Sequence, residues 1–437
     1  MTTSMTRRRL IRNASVASGA AALTLAGARV AGAASSTYSS PAVIRAQNAP
    51  VEVTFHHIWG TPPGEQAPET LHPSVQLINA FNESQSDIKV ISRTDSGDYY
   101  TVLQKTQAEL AAGNPPDMVS VPWAYVDWAT QGLGMLSLTD TIGAEKVNEV
   151  FANLRDQVVP IVTLNDKIMG APFAFSTPAL YYNVAMFEEA GVDVEDLFSD
   201  WLTFNDKAAP LSELSGAGTL AMMGNWIAQG IIQSNGGRVL NDEGEFGITM
   251  PESIEAMATI AGIHAAGNKV AGTSAEQTQA FLGGSIPAWH GSIASLSYVR
   301  QNATMDFGTV GVPSFGDKQR FMSCGGSFVG LFAPTEERQQ ASFEFEKFAL
   351  SLEGYTIWNQ VGYLNATKYD LPILPGQEAA YATLEEGINA ETPWPGQRGG
   401  EISDVWNTYV NAIWDEELTD VEGALNDALS EMDALRS

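Results

Sequence analysis

The stretch Gly170-Ala171-Pro172-Phe173-Ala174-Phe175-Ser176-Thr177-Pro178-Ala179-Leu180-Tyr181-Tyr182-Asn183 constrains the fold more than any other. It reads as a strand, a Ser-Thr-Pro break and a second, apolar-aromatic strand. Aromatic and β-branched residues favour strands, and proline cannot sit inside a central one. The chain is therefore expected to change direction or domain between Pro172 and Pro178. The hydroxyls of Ser176 and Thr177 fall between two apolar strands, a suitable place for a pocket wall. What flanks the stretch makes it a crossover between two lobes.

Upstream, strand-like and helical segments alternate. Strands are expected at 51–59, 88–92 and 118–121, and helices at about 73–82 and 98–112, with Gly60 and the Pro62-Pro63-Gly64 loop closing the first strand. This alternation predicts βαβ units and a mostly parallel sheet, whose ligands bind beyond the carboxyl ends of the strands. That rule selects His56, His57 and Trp59 after the first strand, Asp95 to Tyr99 after the second, and Pro122, Trp123 and Tyr125 after the third. Each aromatic alone reads as core packing. Three successive strand ends carrying polar or aromatic groups favour a binding face.

Downstream, helices are expected at 184–191, 201–211, 224–235, 253–266 and 339–352, with strand-like runs at 220–223, 286–289, 307–312 and 323–329 and a turn-rich segment at 236–244. Two amphipathic helices close the chain, with stripes Ile402-Val405-Trp406-Tyr409-Ile413 and Val421-Leu425-Ala428-Met432-Leu435. His264 reads as a core-edge histidine.

Charge and cysteine narrow the function. Residues 1–33 hold five arginines and no acid, which leaves 18 basic against 51 acidic residues beyond them, a net of −33. So much negative charge argues against nucleic acid or an anionic membrane as partner. Cys324 is the only cysteine, so an internal disulfide and a cysteine-based metal site are excluded. Thr6-Arg7-Arg8-Arg9-Leu10-Ile11-Arg12, the short apolar run to Ala28 and Ala31-Gly32-Ala33 read as a Tat-type export signal over 1–33, followed by a flexible leader over 34–50. No cysteine follows the apolar run, so no lipid anchor is expected. The mature chain is expected to be soluble and outside the cytoplasmic membrane, in the periplasm or cell exterior.

No dinucleotide, phosphate-loop or Gly-x-Ser-x-Gly pattern occurs, and His56, His57, His72, His264 and His290 lack zinc-protease spacing. No cofactor and no metal is implied. Fifty-one acids always offer pairs, so an exported carbohydrate-active hydrolase with two facing carboxylates stays open. Aromatic, hydroxyl and glycine residues at strand ends suit polyol binding: sugar C–H faces stack on Trp and Tyr, and sugar hydroxyls need fixed donors and acceptors.

The ensemble resembles the extracellular solute-binding proteins that feed carbohydrate-uptake ABC transporters, across essentially the whole mature chain. Ala111-Ala112-Gly113-Asn114-Pro115-Pro116-Asp117, Gln131-Gly132-Leu133-Gly134-Met135-Leu136-Ser137-Leu138 and Pro172 to Asn183 with Ala190-Gly191-Val192-Asp193 carry the resemblance. Ser176-Thr177-Pro178, Leu180-Tyr181-Tyr182-Asn183 and Gly362-Tyr363-Leu364 are most similar to the glycerol-3-phosphate-binding branch. The resemblance implies an α/β, two-lobe periplasmic-binding-protein fold with crossover strands and a ligand in the cleft. Lobe one would comprise 51–172 and 312–362, and lobe two 173–311 and 363–437. It also implies ligand contacts from Tyr99, Ser176, Trp226, Ser292, Gly325 or Gly326, and Tyr363, with Arg398 as a phosphate-binding arginine. Trp123 departs from the branch, which carries an acid there, and favours stacking on a sugar ring. The implied role is a monomeric, non-enzymatic binder of a carbohydrate or polyol phosphate that hands its ligand to ABC permease subunits and their ATPase.

Overall fold

The computed structural model of the chain describes residues 49–59, 72–94, 98–222, 224–241, 243–386, 388–390, 393–415 and 418–436. The expected export signal, most of the leader, the Pro62-Pro63-Gly64 loop and Asp95 to Gly97 lie outside the described residues.

Twelve strands are described, in chain order: β1 (Val51–His57), β2 (Ile88–Thr94), β3 (Met118–Pro122), β4 (Thr163–Leu164), β5 (Lys167–Ile168), β6 (Gly170–Ser176), β7 (Pro178–Asn183), β8 (Leu220–Met222), β9 (Ala288–Ser292), β10 (Phe307–Val310), β11 (Met322–Leu331) and β12 (Ile388–Ala390). They form two main sheets. The first runs β12-β11-β3-β1-β2, with β6 also on β11; the second runs β10-β7-β9-β8. β4 and β5 make a small hairpin whose turn, Asn165-Asp166, has positive φ at both residues, the backbone that two-residue hairpins require.

The first sheet is mixed rather than mostly parallel. β1 is parallel to β2 and β3, as the βαβ alternation demands, but β11 is antiparallel to both β3 and β6. β11 comes from far along the chain and enters from the opposite direction, which local periodicity does not report. β6 belongs to the first sheet and β7 to the second, with Thr177 alone between them. The crossover expected from the Ser-Thr-Pro break is therefore one residue long.

Each sheet is covered by helices. Phe55 on β1 packs near Phe173 and Phe345, and Phe345 meets Phe81 of the helix Pro73–Ser84. One face of the second sheet, through Leu180, Leu220 and Met222, packs with Trp201, Ile227, Ile260, Trp406 and Leu425. Its other face, through Tyr181 and Trp289, is continuous with the first core. The helix Tyr99–Ala111 starts where the Asp98 carboxylate accepts the Thr101 N–H at 2.8 Å, a standard N-cap. That cap places Tyr99 in the first turn, beyond the carboxyl end of β2. The segment before Gly362 is helical: Leu352–Trp358 and the turn Asn359–Val361 lead to Gly362 at φ 110°, which delivers Tyr363. His264 sits at the core edge, with Nδ1 2.9 Å from the Trp414 carbonyl.

Candidate functional site

Beyond the carboxyl ends of β1, β2 and β3 the structure assembles a chain of hydroxyl and indole groups. Trp59 Nε1 donates to the Tyr363 hydroxyl at 3.1 Å, and the Tyr363 and Tyr99 hydroxyls are 3.3 Å apart. Ser120 and Ser327 share a hydrogen bond of 2.9 Å, and both hydroxyls lie close enough to the Tyr99 phenol to favour its ionised form, against the larger effect of burial. Tyr363 is held flat on Trp358, with ring centroids 5.4 Å apart, and Trp59 meets Tyr99, Trp358 and Tyr363 edge-on. Burial pushes the Tyr363 phenol up, and burial together with the neighbouring Tyr363 pushes Tyr99 well above its ordinary value. Both phenols therefore keep their protons at neutral pH and act as donor and acceptor at once. No side chain in this chain of five carries a charge.

A second group sits beside it at the crossover. Gly325 pairs with Ser176, and Gly326 with Phe175, across β11 and β6. The Trp226 ring lies against Gly325, where an added Cβ would come within 2.7 Å of it. Gly326 has φ +117°, and a Cβ there would fall 1.9 Å from the Ala174 carbonyl oxygen and 3.2 Å from Trp123 Nε1. Only glycine fits. Trp123 is 2% exposed, its ring 5.8 Å from Phe328. Its Nε1, like the Thr177 Oγ1, is buried without a hydrogen-bond partner among the described residues. Ser292 pairs with Pro178, immediately after the crossover; its hydroxyl caps Ala294 N at 3.1 Å, and Ile293 N donates to the Thr177 carbonyl at 3.0 Å.

The family profile of bacterial extracellular solute-binding proteins matches residues 76–371. The chain belongs to this family. It is 25% identical over 405 residues, 84% of this chain and 88% of the relative, to the sn-glycerol-3-phosphate-binding periplasmic protein UgpB of Escherichia coli (strain K12). Among solved structures it is similar to the ABC substrate-binding protein Lmo0181 from Listeria monocytogenes in complex with cycloalternan, with a TM-score of 0.74, 19% identity and coverage of 88% of this chain and 98% of that one. It is also similar to UgpB from Mycobacterium tuberculosis in complex with glycerophosphocholine, with a TM-score of 0.72, 21% identity and the same coverage. The fold of this solute-binding protein is accordingly the two-lobe α/β fold that the resemblance implied.

Two residues of the expected site stand apart in this solute-binding protein. His57 is fully buried beneath Trp59, stacked at 5.6 Å. Its Nδ1 accepts the Trp59 N–H at 3.3 Å, so its Nε2 carries the proton toward Ser92 Oγ at 2.9 Å. His57 thus supports Trp59 from below. Arg398 stands at the residue before the helix Gly399–Trp414 with its side chain 46% exposed, and its Nε and Nη2 donate to the two Glu401 oxygens at 2.8 and 2.6 Å. That pairing raises Arg398 and lowers Glu401 from their ordinary values. No described contact joins Arg398 to the hydroxyl chain.

Sequence reasoning left Ser120 and Ser327 out of the site and gave Trp59 no specific role. The signal for Ser120 was a lone hydroxyl inside the apolar run Met118-Val119-Ser120-Val121. Ser327 follows the glycine pair; it lies opposite Pro122 in the antiparallel β3–β11 pairing and reaches Ser120 diagonally, which only the topology reveals.

Proposed function

We propose that the protein captures a neutral sugar or oligosaccharide between two lobes and delivers it to an ABC permease in the membrane, without performing a reaction. The uncharged chain Trp59–Tyr363–Tyr99 with Ser120 and Ser327 carries this reading. Sugar hydroxyls both donate and accept, and phenol and serine hydroxyls match them without a net charge to neutralise. We take the lobes as 51–172 with 312–362 and 173–311 with 363–437, meeting along the β6–β7 stretch. Closure follows from contacts to the ligand on both sides, because a ligand shifts a conformational equilibrium only by its differential affinity. Tyr99 and Trp123, with Trp59 placed by His57, act from the first lobe; Trp226 and Ser292 act from the second; Tyr363 acts where 312–362 gives way to 363–437; Ser176, Thr177, Gly325 and Gly326 act at the crossover. Export by the amino-terminal signal to the periplasm or cell exterior completes the reading. No helix among the described residues is long and apolar enough to cross a membrane.

A second reading, a glycerol-3-phosphate or glycerophosphodiester binder, is favoured by the similarity to UgpB and requires Arg398 to exchange Glu401 for a phosphate. A thermal-shift screen of neutral mono- and oligosaccharides, polyols, glycerol-3-phosphate and glycerophosphodiesters separates the two. A ligand at about 100 times its Kd adds roughly 2.7 kcal/mol of stability. Shifts with neutral sugars are expected; shifts confined to phosphorylated compounds overturn the first reading in favour of the second.

A further inference from the structure

A cavity of about 100 Å³ lies at the crossing segments, lined by Arg155, Gln157, Phe175, Tyr381, Leu384 and Glu385. At ~30 Å³ of liquid volume per water it holds a few waters or one small solute. Arg155 is fixed at its rim: its backbone N–H donates to Ala366 O at 2.9 Å and its Nε to Asn365 O at 2.7 Å. The guanidinium lies 6.0 Å from the centre of the Tyr381 ring, and the Tyr381 hydroxyl accepts the Asn365 N–H at 2.9 Å. Neither Nη of Arg155 donates to a described residue. Glu385 has no hydrogen bond or ion pair among the described residues, and no ion pair joins it to Arg155 across the cavity. Two opposite charges therefore face one small space without meeting, with Phe175 and Leu384 as apolar walls.

We propose that this cavity is a second ligand site, taking a small amino-carboxylate zwitterion whose carboxylate forks onto Arg155 and whose ammonium faces Glu385. Arg offers planar, paired donors that match a carboxylate. A plain anion is disfavoured by Glu385 and by a chain of net charge −28; a plain cation meets the uncompensated Arg155. The occupant touches three segments at once: the loop beyond the helix Ala144–Phe151, β6 through Phe175, and the helix Glu378–Glu386, which packs on β7 and β10 of the second sheet. Filling the cavity braces the crossover from outside the hydroxyl chain.

The test is calorimetric titration of the full chain with glycine, against acetate and ethanolamine as probes of each charge alone. Glycine is expected to bind, with each single-charge probe weaker by roughly tenfold, the worth of one charge-assisted hydrogen bond. Glu385→Gln, at an exposed position, and Arg155→Lys, which keeps the charge but loses the fork, should each weaken glycine by a similar factor while leaving the response to cleft ligands in place. No glycine binding, or glycine binding in both variants as tight as in the parent protein, overturns the proposal. Acetate binding as tightly as glycine and indifferent to Glu385→Gln makes this an anion site and overturns it too. Neither outcome bears on the solute screen, because no residue is shared with the cleft groups.

Discussion

Tyr363→Phe removes one oxygen from the centre of the hydroxyl chain. The indole of Trp59 can only donate, and Trp59 is 6% exposed, so its Nε1 is left buried without an acceptor. An unsatisfied buried donor costs about 1–3 kcal/mol, whereas loss of a typical neutral hydrogen bond costs about 0.5–1.5 kcal/mol. Tyr99→Phe removes only the outer partner, which leaves Tyr363 still accepting from Trp59. Tyr363→Phe is therefore expected to destabilise more than Tyr99→Phe, by about 1 kcal/mol. Because the two hydroxyls bond each other, the double variant should lose less than the sum of the singles. Urea unfolding of the four proteins measures this, with the slope compared to confirm that the denatured state is unchanged. A deficit of at least ~0.5 kcal/mol is expected for groups in contact. Titration with a sugar from the screen adds the functional arm: one lost neutral hydrogen bond of about 1 kcal/mol weakens binding roughly fivefold. Equal stability of the two single variants, or strict additivity in the double, refutes the chain as drawn.

Gly326→Ala should destabilise far more than Gly113→Ala. Both glycines have positive φ, which costs an L-residue about 1–3 kcal/mol, but only at Gly326 does the new Cβ strike backbone, the Ala174 carbonyl oxygen; thermal unfolding of the two variants compares them. Burial holds His72 down at about 4 and His290 at about 3, against a usual 6.5. A neutral imidazole favoured by the folded state gives stability that is full above pH 6.5 and is lost as pH falls toward those values. His290→Gln should therefore flatten the urea midpoint against pH between 6.5 and 3, and an unchanged slope refutes the assignment. Arg398→Ala should leave the affinity for neutral sugars unchanged in titration, since its guanidinium is spent on Glu401 at the surface; a loss confined to phosphorylated ligands supports the second reading.

The crossover was legible because proline and β-branched residues act locally. Pro178 and the Ser176-Thr177 pair break a strand whatever the rest of the chain does, and β6 and β7 fall on either side of Thr177. The helix Ser274–Leu282 went unread although its capping box, Thr273 with Glu276, is a local signal. The antiparallel entry of β11 was hidden because register between residues 200 positions apart has no local signature, and with it went Ser327 and its partner Ser120. Core packing was the local reading of Trp123, but its neighbours were hidden for the same reason: Phe328 and Gly326 reach it only through β11. The resemblance gave Arg398 a phosphate-binding role, with pairing to one of the many acids as the alternative; Glu401 three residues later is at helical reach, a pairing that spacing alone predicts.

Charge gives the argument between the two readings its direction. Beyond the first 33 residues the chain carries a net of −33, a field that raises the concentration of cations and lowers that of phosphate esters near the surface. An anionic ligand must therefore find a local cation that outweighs this field. The chain Trp59–Tyr363–Tyr99 with Ser120 and Ser327 contains none. Arg398 is the one cation that the resemblance brings to the site, and Glu401 neutralises it through both carboxylate oxygens. For a phosphate to bind there, it must replace a bidentate carboxylate already in place, gaining only the difference between two similar charge-assisted pairs. A neutral sugar faces neither the field nor the exchange, so the affinity for sugars should be nearly independent of salt while any phosphodiester affinity should rise as salt screens the acidic surface. Measuring both against ionic strength distinguishes the readings without a mutation: sugar binding that changes steeply with salt contradicts an uncharged site.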